Sequence, residues 1–318
     1  MSTTKMPRTS APPRPSAPPS GSGDRRRRRR RVEVFDVVNA LILGLIAIAC
    51  VYPFLYILGV SLSDGRAVLE NRVVLWPVDV NIETFRYILT NERLGVVRAL
   101  LNSVLYTVVG TVVAVVLTYL TAYALSKKRL PGRQAIMLLF ILTWIFDAGI
   151  VPAYIVNSGL GLVNNWLIMV LPLAISTFLL IVTKAFVEAI PDELEESASI
   201  DGANDFQILT KIYLPLSKPV IATIGIFYAV QTWNSFLWPL IYLRDASLQP
   251  IQVVLYRLLL GSQDQALNFQ QTVSNGFLVI PENIRAATML FAIVPVLLFY
   301  PYAQRYFSKG ILVGAVKG

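Results

Sequence analysis

The residues of this chain that could do chemistry sit mostly in one polar run between two apolar stretches: Pro191-Asp-Glu-Leu-Glu-Glu-Ser-Ala-Ser-Ile-Asp-Gly-Ala-Asn-Asp-Phe-Gln-Ile-Leu-Thr-Lys-Ile-Tyr-Leu-Pro215. Asp192, Glu193, Glu195, Glu196 and Asp201 make it densely acidic, and Ser197, Ala198 and Ser199 are small enough for another surface to come close. The chemistry on offer is recognition by ion pairs, hydrogen bonds and close packing. A histidine-dependent triad is excluded, because the chain has no histidine. The single cysteine, Cys50, rules out an intrachain disulfide and a soft-metal cluster. There is no G-x-x-x-x-G-K-S/T phosphate cradle, and Gly21-Ser-Gly23 belongs to a linker. Energy from a nucleotide must therefore come from another chain.

A second set of candidates lies inside apolar sequence. Tyr228, Gln231, Asn234 or Ser235, and Trp238 recur at helical spacing, with Trp233 beside them, and form one polar-aromatic face. Sugars are held by hydrogen bonds to hydroxyls and by stacking on rings, so this face suits a glycan path. It equally suits a helix–helix interface, where polar side chains act as glue. Asp147 is the one carboxylate inside an expected span; such a group is costly and marks either a functional position or a satisfied group near the interface.

Membrane helices must position both sets. The chain is 55% apolar and 15% charged, with mean hydropathy +0.60, too oily for a soluble domain of 318 residues. Long apolar runs predict six helical spans, about Val37–Leu62, Leu101–Leu125, Ala135–Val156, Trp166–Phe186, Val220–Leu243 and Ala286–Tyr302. With the N-terminus inside, only Arg66, Arg72, Arg86, Arg93, Arg98, Arg244, Arg257 and Arg285 of the 28 Lys and Arg residues fall outside. That bias places both termini and the acidic run in the cytoplasm. Residues 1–31, rich in Pro, Ser and Gly and ending in the run Arg25 to Arg31, read as a disordered basic tail. The run serves as a topological anchor to anionic lipid rather than a nucleic-acid site. The long outside segments 63–98 and 244–285 either cover helix ends or meet an external partner. Trp76-Pro77 and Phe85-Arg86-Tyr87 suit a short amphipathic helix in the first, and the apolar strip at 250–260 is too short to span.

The acidic run reads as an elbow. Pro191 suits the first helical position, and the following carboxylates complement the helix dipole. Asp201-Gly202 breaks the helix, because glycine takes a positive φ readily. A second helix is expected from about Asn204 to Lys211, ended by Leu214-Pro215 and Lys218-Pro219.

The pattern Glu196-x-Ala198-x3-Gly202-x9-Ile212-x-Leu214-Pro215 resembles the EAA loop of importer-type ABC transporter permeases, with Ser197 a mild departure. Further stretches resemble the maltose-type, complex-oligosaccharide branch of that family: Ala124-Leu-Ser-Lys-Lys-Arg-Leu-Pro-Gly-Arg133, Gly149-Ile-Val-Pro-Ala-Tyr154, Tyr228-Ala-Val-Gln-Thr-Trp-Asn234 and Tyr306-Phe-Ser-Lys-Gly-Ile-Leu-Val-Gly-Ala-Val-Lys-Gly318. The resemblance covers residues 32–318, one permease domain with a coupling loop at 188–218. It implies an all-α membrane protein of the type I ABC importer permease fold, with no enzymatic activity and no cofactor of its own, ATP being bound by a partner subunit. It implies Glu193, Glu196, Ala198, Asp201, Gly202, Ala203, Ile212, Leu214 and Pro215 as the ATPase-coupling residues. The implied partners are a second homologous permease, a cytoplasmic ABC ATPase dimer, an extracellular solute-binding protein, a sugar substrate and the bilayer, in a bacterial cell membrane. Asp147 departs from a small residue in this branch, which gives it a possible specificity role. The alternatives are a permease for a non-sugar solute, and a secondary transporter, which would carry repeats or more intramembrane charge. A membrane-anchored interaction protein would not need six spans.

Overall fold

The computed structural model describes residues 34–172, 174–260 and 272–314; the basic tail and the last residues of the C-terminal stretch lie outside them. By its contacts the chain divides at Ala49/Cys50. The first helix, α1 (Val34–Ser61), runs through that point, and residues 35–49 are exposed apart from Gly44, Leu41 and Ile48 among them.

Short helices α2 (Gly65–Leu69) and α3 (Glu83–Thr90) follow, then α4 (Val96–Ser126), which starts after Gly95. α3 is the amphipathic helix expected in this segment, and Ile88 is its buried anchor. α4 buries Ala99, Ser103, Tyr106, Gly110, Ala114, Thr118, Ala122 and Leu125, one stripe at spacings of three and four. Most are small, so neighbouring backbones approach closely, as lipid-embedded helices require when no hydrophobic drive separates lipid from protein.

Three of the expected spans are broken helices. The third comprises α5 (Arg133–Ile145) and α6 (Ile150–Gly159). Between them Asp147 Oδ1 accepts the Gly149 N–H at 3.0 Å, and Gly149 has φ +77°. The fourth is a 3₁₀ turn at Trp166–Met169 followed by α7 (Thr177–Glu188), with Pro172 in the gap. Beyond α7 come the elbow helices α8 (Glu193–Ile200), α9 (Asp205–Ile208) and α10 (Leu214–Leu216). The fifth expected span is α11 (Lys218–Trp233) plus α12 (Leu237–Tyr242). Pro239 sits in α12 and has no N–H to give the carbonyl of Ser235, which fits the interruption there. α13 (Ile251–Leu260) is the expected short apolar strip. The sixth span lies within α14 (Pro281–Gly314), which is longer at both ends than its apolar run. By length and composition α1, α4 and α14 can each cross a membrane unbroken.

One element departs from the all-α expectation. β1 (Thr272–Ser274) pairs antiparallel with β2 (Phe277–Val279) around Asn275-Gly276, both at positive φ. Asn-Gly is the favoured two-residue hairpin turn, so the signal was present in the sequence. The hairpin is held by carboxylates: Asp64 accepts the Leu278 N–H at 3.0 Å, and Glu83 accepts from the Ser274 hydroxyl at 2.7 Å and the Asn275 amide at 3.0 Å. Gly65 is required here, because a Cβ would lie 2.7 Å from the Leu278 carbonyl oxygen.

Candidate functional site

The elbow is built locally by complementary stop and start signals. α8 begins after Pro191 with Glu193, Glu195 and Glu196 in its first turn. It ends in a Schellman pair: the Gly202 N–H meets the Ser199 carbonyl at 3.1 Å and the Ala203 N–H meets the Ala198 carbonyl at 2.9 Å. Gly202 has φ +82° and open space around it, so it is needed for its backbone conformation rather than its size. α9 then starts in a full capping box, with Asn204 Oδ1 accepting the Gln207 N–H at 2.9 Å and Gln207 Oε1 accepting the Asn204 N–H at 3.0 Å.

The expected stop at Pro215 is corrected. The helical path continues through a π turn at Leu209–Tyr213 into α10, and bends by 75° only at Ser217, before α11. The widened π turn relieves the clash that a proline ring makes with the carbonyl one turn earlier.

Packing fixes the elbow from beneath. Tyr119, Val187, Ile190, Ile208 and Tyr213 form a buried cluster, and Ala198, Ala203 and Ile212 pack against it. These three expected coupling residues face inward. Glu193, Glu196, Asp201, Gly202, Leu214 and Pro215 are exposed. The tip also exposes two large apolar side chains, Ile200 at 86% and Phe206 at 72%. Leu194, Leu214 and Leu216 are exposed on the same elbow to a lesser degree.

Charge fixes the elbow from the side. The connection after α4 supplies three cations, each to a different carboxylate. Lys127 pairs with Glu195, Lys128 with Asp192 at 3.0 Å, and Arg129 with Asp205 at 2.6 Å. The first pair is the most enclosed, with side chains 11% and 21% exposed. Glu195 also accepts the Tyr213 hydroxyl at 2.8 Å, and the Lys127 ammonium lies over the Tyr213 ring at 3.6 Å and the Tyr123 ring at 4.3 Å. Burial works against the charge on Glu195, but hydrogen bonds from Lys127 and Tyr213 outweigh it and hold the carboxyl below its usual range. The hydrogen bond from Lys128 does the same for Asp192, and the one to Asp205 raises Arg129. Sequence reasoning used Lys127, Lys128 and Arg129 for topology and family resemblance and Glu195 for the helix dipole, but paired none of them, and it gave Tyr213 no role. The available signal was a basic connection and an acidic loop on the same side of the membrane.

The expected substrate-path residues do not share one open face. Tyr228 is 2% exposed; its hydroxyl pairs with Thr118 Oγ1 at 2.6 Å and accepts the Ser176 N–H at 2.9 Å. Trp233 is buried and donates to the Ala292 carbonyl at 3.1 Å. These two belong to helix–helix contacts, the other reading of the face. Gln231 and Asn234 are exposed, Asn234 donating to the Val230 carbonyl at 3.0 Å. Asp147 is exposed in the break between α5 and α6, not within a continuous helix. Trp238 is half-buried and stacks on Tyr242 at 5.3 Å, and Tyr242 stacks on Tyr154 at 5.4 Å. Arg244, exposed beside this stack, donates to the Tyr154 hydroxyl at 3.0 Å. An apolar cleft of about 570 Å³ between α4, α11 and α14 offers a sugar little beyond the unpartnered hydroxyls of Thr107 and Thr111.

Broken helices around a laterally braced elbow are the frame of a transport permease. Residues 93–313 match the family described as binding-protein-dependent transport system inner membrane component. The chain belongs to that family, and it is a multi-pass ABC importer permease, as the elbow pattern implied. It is 39% identical to the polygalacturonan/rhamnogalacturonan transport system permease protein YtcP of Bacillus subtilis, over 90% of this chain and 99% of that protein. It is 38% identical to protein LplC of the same organism, over 90% of this chain and 95% of that protein. Among solved structures it resembles a chain of a bacterial ABC transporter that imports the acidic polysaccharide alginate. The TM-score is 0.79 and the identity 33%, covering 87% of this chain and 98% of the other.

Proposed function

We propose that this chain is one of two membrane subunits of an ATP-driven oligosaccharide importer in the bacterial cell membrane. In this reading it crosses the bilayer six times, each broken pair counting as one span, with both termini in the cytoplasm. Its elbow docks on a cytoplasmic ABC ATPase that holds the ATP; a second, homologous permease completes the path, and an extracellular solute-binding protein delivers the sugar. The chain itself catalyses nothing and holds no cofactor. The observation that carries the reading is the elbow, which exposes Ile200 and Phe206 at its tip while three ion pairs hold its frame.

The sugar class is supported by the polysaccharides named for YtcP and for the alginate importer. The arrangement at Tyr154, Trp238 and Arg244 fits an acidic sugar: rings for its apolar face, a guanidinium for its carboxylate. A non-sugar solute is the second reading, favoured by 29% identity to the sn-glycerol-3-phosphate permease UgpE of Brucella suis.

Gly202→Asp and Phe206→Glu test the docking. Both variants should insert normally and lose the co-purifying ATPase, at least about tenfold for a lost docking anchor. Normal ATPase recovery with both variants would remove the elbow's coupling role.

A further inference from the structure

α4 is gripped at both of its ends. At one end stand the Lys127–Glu195 pair and its two flanking ion pairs, all joined to the elbow. About two turns inward, the Tyr119 hydroxyl donates to Ser217 Oγ at 3.0 Å, at the bend where the elbow becomes α11. At the other end Asn102 donates to the carbonyls of Ser247 at 2.8 Å and Gln249 at 3.2 Å. Tyr106 donates to the Leu248 carbonyl at 2.8 Å, and Ser103 Oγ accepts the Ile251 N–H at 2.8 Å. Both grips fall on one unbroken helix of 31 residues, about 46 Å long over its whole length at 1.5 Å per residue, without a proline. The helices that begin on either side of the elbow's neighbourhood, α5/α6 and α11/α12, are interrupted instead. A continuous helix resists axial compression, whereas a broken one absorbs displacement at its break.

We propose that α4 is the rod that carries elbow movement to the segment at 246–251 on the opposite side of the membrane. Lys127, Glu195 and Tyr213 are the positioning residues that lock the elbow onto it. Asn102, Ser103 and Tyr106 pass the movement on to that segment, which adjoins Arg244 and the Tyr154–Tyr242–Trp238 stack. This assignment rests on the docking reading of the elbow but adds a route that docking alone does not require.

The test uses spin labels on the full chain in nanodiscs, in a Cys50→Ser background. Paired cysteines at Lys211, exposed on the elbow away from its tip anchors, and Leu120 report elbow against rod, and at Leu120 and Ala246 report rod against the far segment. In the permease alone, the Lys211–Leu120 distance should be narrowly distributed. It should broaden in Lys127→Ala and in Tyr213→Phe, and stay narrow in the conservative Lys127→Arg. With the ATPase bound and trapped by ATP and vanadate, both distances should hold within about 2 Å of their nucleotide-free values, below the displacement of one helical turn. Lys127→Ala should then shift only the first distance, and the pair Asn102→Ala with Tyr106→Phe only the second. Unchanged distributions in all these variants, or a wild-type elbow that moves against Leu120 on trapping, would overturn the rod. If the wild-type chain fails to retain the ATPase, the docking reading fails instead, and the permease-alone comparison still decides whether the elbow is locked to α4.

Discussion

Glu195 shows how one side chain can decide the state of a surface. Its partner Lys127 has little solvent to fall back on, so Glu195→Ala leaves a nearly buried ammonium without a counter-ion. The expected cost is about 2 kcal/mol, read as a lowered midpoint in thermal unfolding of the detergent-solubilised chain. The pH dependence has a definite sign. Because the folded carboxyl titrates below its ordinary value near 4.5, its contribution is complete above that value and disappears as the pH falls through the lower, folded value. A spin label at Ile200 should therefore be immobile at neutral pH and become mobile only in acid below the ordinary carboxylate range. In Glu195→Gln it should be mobile throughout; equal mobility of both proteins at neutral pH would remove the charge from the explanation. Tyr228 carries a different lesson. A tyrosine on an apolar helix reads as a ligand-facing group until its hydroxyl is seen meeting Thr118 and Ser176, and one-dimensional spacing cannot tell a lumen from a neighbouring helix.

At the scale of elements, the elbow was legible because its punctuation is local. Pro191, Gly202 and the Asn204–Gln207 capping box act over a few residues, so the turn could be read from the chain. Pro215 was misleading because the π turn before it depends on packing of Tyr213 and Ile208 in the cluster beneath. The α4 stripe was present in the sequence, but its meaning depends on which helix faces it. Gly225 of α11 lies against Val115, and Gly110 against Thr232 and the Met169 carbonyl. Ala114, 3% exposed, sits in the same seam. Ala114→Leu should force α4 and α11 apart and destabilise the chain by roughly 1–3 kcal/mol, whereas Leu→Ala at exposed Leu120 should change little. Thermal unfolding of the two variants compares them directly; equal midpoints would mean the seam is looser than its contacts indicate.

For the whole molecule, the unbroken apolar helices and the broken ones have to be reconciled with one bilayer. The proposed six crossings would put Ile200 on the cytoplasmic side and Trp76 on the other. In a Cys50→Ser background, Ile200→Cys should be modified by a membrane-impermeant maleimide only after the cells are opened, and Trp76→Cys in intact cells. The opposite result at either position would invert the topology. The substrate prediction belongs to the same scale, since it needs the assembled importer. Arg244→Ala should reduce uptake of an acidic trisaccharide by about tenfold or more, the loss of one charge-assisted contact, and leave a neutral one unaffected. Equal losses for both sugars would point to a packing role for Arg244.

The amino-acid sequence by itself determined the class of protein, the expected spans and the elbow's outline, because oiliness, charge bias and Pro/Gly punctuation are properties of neighbouring residues in the chain. The tertiary structure decided which acidic residue is braced and by what, since Lys127 and Glu195 meet only when α4 and α8 are brought together across 68 positions. It also buried Tyr228 and Trp233 among neighbouring helices, left Gln231 and Asn234 exposed, and placed Arg244 against a ring stack that spacing along one helix could not reveal. The reason is physical: burial and pairing are relations between distant segments, and a side chain's role follows from what the fold sets against it.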